Sequence, residues 1–259
     1  MANILDTKRL RQKLLDLAVR GKLVPQDPND EPASELLARI HSEKLEMVKR
    51  GELKPKDVKN DTVIYYASDG LPYEKSADGK GEPVCIAEEV PFELPKGWAW
   101  ARLALLCDAI LVPQRDKPKF FSGNIPWCRI EDIEGRLIYE SRIGRCVDQA
   151  TVESMNLKIN PVGTVICSNS ATIGVPAIVT KPLVTNQRFI GFVCRPQLLN
   201  WYLYDLFLAA HDYLSSGGTG STQDYIARST FERMLVPLPP LPEQRRIVAE
   251  LDRCLSLVD

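Results

Sequence analysis

The chain has 259 residues, enough for one large domain or two ordinary ones with a substantial core. Its 44% hydrophobic and 26% charged content is that of a globular protein, which excludes a disordered chain, and no apolar run approaches the roughly eighteen residues that a membrane span needs. The formal net charge of −1 conceals segregation: residues 1–95 carry 15 Lys/Arg against 18 Asp/Glu, whereas residues 96–236 carry 15 against 12.

Two amphipathic helices open the chain. In "LDTKRLRQKLLDLAVRGK" the stripe Leu10, Leu14, Leu17 predicts a helix ended by Gly21 and Pro25. This charged N-terminus lacks the uninterrupted apolar core of a signal peptide, so a cytoplasmic location without membrane contact is expected. "EPASELLARIHSEKLEMVKRG" predicts a second helix, with Pro32 near its first turn, an apolar stripe Leu36, Leu37, Ile40, Met47, and Gly51 at its exit. These helices fill residues 1–51. Residues 52–89 are polar and read as a loop-rich linker with a short hairpin at Asp69-Gly70.

From about residue 90 to 238 short Val/Ile/Thr-rich segments alternate with turns and read as strands: "IPWCRIEDI", "LIYESRIGRCV", "GTVICSNSATIGVPAIVT" and "TNQRFIGFVCR". Ser154 to Tyr204 contains no Asp or Glu while holding Lys158, Lys181, Arg188 and Arg195, which suits either a polyanion-facing surface or buried strands. Residues 198–214 read as a buried helix. It leads into "SSGGTGST", a stretch open to two readings, a flexible turn or a phosphate cradle of bare N–H groups and hydroxyls. It lacks the lysine of a triphosphate loop and the third glycine of a dinucleotide fingerprint. Residues 239–259 begin a helix with Pro242 as its first residue, and Ile247, Leu251, Cys254 and Val258 are spaced as a coiled-coil seam that stops at Asp259, as in a fragment, a helix completed by a partner, or an ordinary amphipathic helix lying on its own domain.

Catalytic patterns are sparse. Two histidines, His41 and His211, share no element, and the seven cysteines are never closer than Cys128 and Cys146, so they read as small buried side chains and not as a metal knuckle or disulfide framework. The acidic trio Glu131, Asp132, Glu134 leaves open a small metal-dependent nuclease. A coiled-coil adaptor that never touches DNA is a further reading.

Taken in order, "LRQKLLDLAVRGKLVPQDPNDEPASELLARI", "LPKGWAWARL", "IPWCRIEDI", "GTVICSNSATIGVPAIV", "TNQRFIGFV", "GGTGSTQDYI" and "VPLPPLPEQRRIVAEL" resemble the DNA-specificity subunit of type I restriction–modification systems, over nearly the whole chain. The resemblance implies an α+β fold, a mixed-sheet target recognition domain flanked by long helices. It implies a non-catalytic protein that reads one half of a bipartite double-stranded DNA site, docks adenine methyltransferase subunits and, indirectly, a restriction/translocase subunit, and is able to self-dimerise through its helices. S-adenosylmethionine, ATP and Mg would belong to those partners, with no cofactor or metal in this chain. The chain departs from the family pattern in having one recognition domain where two are usual. Under this reading the loop would hold DNA phosphates through Gly218, Thr219, Gly220, Ser221, Thr222 and Gln223. Base edges would be read by Arg129, Ser168, Asn169, Ser170, Asn186, Gln187 and Arg188, because Asn and Gln pair with adenine and Arg with guanine.

Overall fold

The computed structural model describes residues 2–58, 61–215 and 225–258. The chain forms two compact units, one from residues 1–106 with 232–259 and one from residues 107–231.

In the first, terminal unit the helix Ala2–Val19 buries Leu15, Ala18 and Val19, while Leu10 of the predicted stripe is 46% exposed. Small Ala18 and β-branched Val19 do not stand out in a leucine pattern, yet they carry the face that is covered. Gly21 ends this helix at φ +64°, with the Lys22 N–H donating to the Leu17 carbonyl. A Cβ there would fall 2.4 Å from Pro95 Cγ and 2.9 Å from Trp98 Cζ2, so only glycine fits. The helix Ala33–Lys49, with Pro32 at its N-cap, buries Ala33, Leu36, Ile40 and Lys44.

Residues 52–89 are not the loop-rich linker expected. Strands Thr62–Tyr66, Pro72–Ser76 and Val84–Cys85 form an antiparallel sheet, and its first turn runs through Asp69-Gly70, where the Leu71 N–H donates to Asp69 Oδ1. The polar composition misleads because one sheet face stays wet and the strands are short. A second departure follows from the pairing of Ala99–Arg102 with Leu235–Leu238, from Ala99 beside Leu238 to Arg102 beside Leu235. It draws residues 90–106 and 232–238, expected in a domain spanning 90–238, into the terminal unit.

The helix Leu241–Leu255 packs against Ala2–Val19. Of the expected seam, Ile247 and Leu251 are fully buried and Cys254 half-buried, but Val258 lies in a turn beyond the helix. There the Leu257 N–H donates to the Cys254 carbonyl and the Val258 N–H to the Leu255 carbonyl, tightening the chain into i→i+3 turns.

The central unit holds two sheets. One runs Cys107–Leu111, Phe189–Cys194, Val165–Ser168, Pro176–Val179, Leu137–Ile138, antiparallel except for its last pair. The other runs Cys146–Val147, Ile125–Cys128, Leu183–Thr185, Ile159–Asn160, with Leu183–Thr185 parallel to Ile125–Cys128. Strands Val165–Ser168 and Pro176–Val179 are buried on both faces, which explains their unbroken apolar runs and lack of acids. Cys128, Ile138, Ile166, Ala177, Val179, Leu183 and Phe189 make one apolar cluster. Trp127, Val147, Val152, Leu157 and Val184 make another, so Trp127 is a core residue. The region read as one buried helix over 198–214 is two, Asn200–Ala209 and His211–Ser215. Burial pushes the Cys128 and Cys194 thiols up to about 12, and Cys107 well above its usual range, so these thiols stay protonated and inert. Among the described residues no helix is long and apolar enough to cross a membrane.

Candidate nucleic-acid interface

Residues that sequence reasoning singled out on three separate segments meet at one end of the central unit. The parallel pairing places Thr185 beside Cys128, so the chain leaves both strands at the same end, toward Asn186 on one and Arg129 on the other. The Asn186 N–H donates to the Cys128 carbonyl at 3.0 Å, and Asn186 Oδ1 accepts from the Arg188 N–H at 3.2 Å. The Arg188 carbonyl accepts from the Asn169 N–H at 2.9 Å, and the Asn169 carbonyl from the Ile226 N–H at 2.7 Å. Ser170 and Tyr225 form an isolated bridge. A continuous run of hydrogen bonds therefore joins residues 128–129, 186–188, 169–170 and 225–226.

Within that edge the candidates are not equivalent. Gln187 and Arg188 are exposed, and among the described residues the Arg188 side chain makes no ion pair. Arg129 is half-buried, its Nε 3.7 Å from the Glu131 carboxylate. Ser170 and Asn186 are half-buried, the latter spending its side-chain oxygen on its own turn. Ser168 and Asn169 are buried and do not present themselves to a base edge, contrary to expectation. The Ser168 hydroxyl accepts from the Val175 N–H and donates to the Thr172 carbonyl, bracing the loop between Val165–Ser168 and Pro176–Val179. At the tip of that loop Ala171 holds φ +63°, a left-handed conformation rare for a residue with a Cβ. The phosphate candidates Gly218, Thr219, Gly220, Ser221, Thr222 and Gln223 lie outside the described residues.

The acidic trio does not assemble as a metal site. Asp132 is buried, and its oxygens accept from the Arg129 N–H at 2.7 Å and the Arg142 N–H at 2.9 Å, so the carboxylate braces the turn after Ile125–Cys128. Glu134 accepts from the Tyr139 hydroxyl and Glu131 is exposed. Among the described residues no group of three or more His, Cys, Asp or Glu side chains is placed to hold a metal ion.

Sequence reasoning missed two features of this edge. Tyr225, 51% exposed, stands beside Ser170. The segment after Cys107–Leu111 leaves its sheet at the Arg188 end, since Leu111 lies beside Gly191, and it exposes Arg115, Lys117, Lys119 and Phe120, the last at 83%. Basic residues interleaved with an aromatic in "QRDKPKFF" were the available signal.

The family model for the type I restriction modification DNA specificity domain matches residues 95–258, and the chain belongs to that family. The Escherichia coli type I restriction enzyme EcoAI specificity subunit is 32% identical over 263 residues, covering 97% of this chain and 40% of that protein. The EcoEI specificity subunit of the same species is 31% identical over 275 residues, with the same coverage. The chain thus spans about two fifths of the length of these curated relatives. The fold is that of the HsdS subunit from Thermoanaerobacter tengcongensis, with a TM-score of 0.53 at 19% identity over 99% of this chain and 50% of the other.

Proposed function

We propose that this chain is a sequence-specific DNA-recognition module of a type I restriction–modification complex, reading one half of a bipartite target. What carries the reading is the hydrogen-bonded edge that gathers Arg129, Ser170, Asn186, Gln187 and Arg188 from three segments and receives the chain at Tyr225, directly after the glycine-rich loop. Gln187 and Arg188 read bases, with Arg129 beside them, while Ser168 and Asn169 set the shape of the edge. Residues 218–223 and the exposed Arg115, Lys117 and Lys119 hold phosphate, which positions the protein without specifying sequence. The module supplies no chemistry itself. Methyltransferase subunits dock on it and bring S-adenosylmethionine, and a restriction/translocase subunit joins indirectly with its ATP and Mg. A pair of such modules joined through their helices would recognise a two-fold symmetric split site, because the symmetry of the protein passes to the DNA.

Selection of bound sequences from randomised DNA, with this chain assembled with its methyltransferase, tests the assignment. Arg188→Ala is expected to erase preference at one base pair, worth about 1–3 kcal/mol of discrimination. A uniform loss of affinity would move Arg188 to the phosphate contacts, and an unchanged selection would remove it from the interface.

A further inference from the structure

Among the described residues the most exposed aromatic ring is Phe120, 83% open, and the chain anchors it there from both sides. Pro118 before it is buried, and Phe121 after it is half-buried. The Phe121 ring lies 5.2 Å from the Trp127 ring, and the Arg145 guanidinium covers both, 5.1 Å from the first ring and 5.8 Å from the second. One residue further, the Ser122 hydroxyl donates to Asp148 Oδ2 at 3.0 Å. Gly123, at φ +95°, then passes so close to Asp148 that a Cβ would fall 2.6 Å from its Cα. Phe120 is thus an open ring on a fixed segment, and covering it orders little backbone that is not ordered already.

Charge and position say what covers it. Arg115, Lys117 and Lys119 are exposed around the ring, against one acid, Asp116. A protein surface that buried Phe120 would strip water from these cations, which is why lysine is depleted in protein interfaces. Duplex DNA meets both needs together, because phosphates flank every base step and pair with the cations while the step itself offers apolar base faces. The segment is also continuous with the reading edge. It leaves one sheet at Leu111, beside Gly191 and toward Arg188. It reaches the other at Phe121, against Trp127, whose chain neighbour Cys128 holds Asn186 through its carbonyl. We propose that Phe120 is a wedge that enters a base step of the bound duplex, flanking the bases read by Gln187 and Arg188. The ring unstacks that step and stacks on one of its bases, while Lys117 and Lys119 hold neighbouring phosphates. The inference rests on the DNA-recognition reading above. Since pyrimidine–purine steps open most easily, the wedge adds a sequence preference at a position where no side chain reads a base edge.

The test uses this chain assembled with its methyltransferase and the DNA recovered by sequence selection, with 2-aminopurine placed at successive positions of the half-site. Unstacking by the wedge is expected to brighten one position. Phe120→Ala is expected to return that position to the fluorescence of free DNA and to weaken binding about 5- to 150-fold, the range of one base–aromatic stack. A base everted by the methyltransferase stays bright in this variant, so the two signals separate. Phe120→Trp should restore both brightness and affinity. The slope of log affinity against log salt is expected to stay unchanged in Phe120→Ala and to fall by about 1 in Lys119→Ala, which separates stacking from phosphate contact. Phe120 is exposed, so neither of its variants disturbs the core. Selective binding with no position that darkens in Phe120→Ala would overturn the wedge alone. So would a Phe120→Ala chain that no longer holds the methyltransferase, since protein would then be what covers the ring. An assembled complex that selects no DNA would overturn the recognition reading and the wedge together.

Discussion

The two units join distant parts of the sequence by different means. In the terminal unit many of the joining contacts are polar. Lys44 and Asp61 pair in its interior, Arg102 grips Glu74 with two nitrogens and reaches Glu89 and the Arg233 carbonyl with a third, and Arg246 meets Asp30 at 2.6 Å. In the central unit distant strands meet largely through carbon, in two apolar clusters, although Arg136 with Asp205 and Arg195 with Asp108 add ion pairs there too. The difference suits two tasks. Directional contacts fix one arrangement of segments, which suits the docking of partner subunits proposed above. An apolar core holds its strands firmly while leaving the loops between them free to carry whatever side chains a target demands.

The sharpest way to break this comparison is Lys44→Ala, which strands the Asp61 carboxylate in the interior. Loss of one partner of a buried pair is expected to cost about 3–5 kcal/mol, measured by urea unfolding. Lys44→Met with Asp61→Leu should recover most of that loss, and a single variant of undiminished stability would show that polar contacts do not hold this unit. The central unit should fail through packing. A Cβ at Gly191 would lie 2.2 Å from Asn160 Oδ1, and Gly191→Ala is expected to cost about 1–3 kcal/mol in the same assay.

A smaller effect of opposite sign is expected at Glu243. Burial pushes its carboxyl above the ordinary range, against a hydrogen bond from Gln26 that favours the charged form. A carboxyl with a raised folded pKa contributes stability at low pH that is lost as pH rises through that pKa. Glu243→Gln should therefore raise Tm at pH 8 and leave it unchanged at pH 4; a gain of equal size at both would assign the effect to shape and not to charge. The smallest change belongs to Arg39, whose ion pair with Glu31 is 47% and 39% exposed. Arg39→Ala should leave the urea midpoint unchanged within measurement error, and a clear shift would show that this exposed pair does hold the unit.

Legibility in the sequence followed the same division. The strands of the central unit declared themselves because apolar runs such as "TVICS" and "VPAIV" have one physical explanation once turns bound them. Their extent was less legible, since the runs read as strands over 137–147 and 163–180 are broken by turns at 139–145 and 169–175, and the depth of individual side chains was not legible at all. Nothing in "SNSATIG" says that Ser168 turns inward to brace the loop while Gln187, on another segment, stays exposed. The terminal unit was harder to read. Its sheet at 62–85 lies in a polar stretch, its first helix buries Ala18 and Val19 where leucines drew attention, and the pairing of Arg102 with Leu235 spans about half of the chain. No local pattern encodes a contact at that separation.

That last pairing bears on how the protein is made. During synthesis the strand Ala99–Arg102 emerges long before its neighbour Leu235–Leu238, and the helix Leu241–Leu255 emerges later still. The frame begun first is thus completed last, after the whole of residues 107–231 has left the ribosome. Domains tend to fold as units in the order they are made. The central unit should accordingly mature while the edge of Ala99–Arg102 still waits, unpaired and open to capture by other strands.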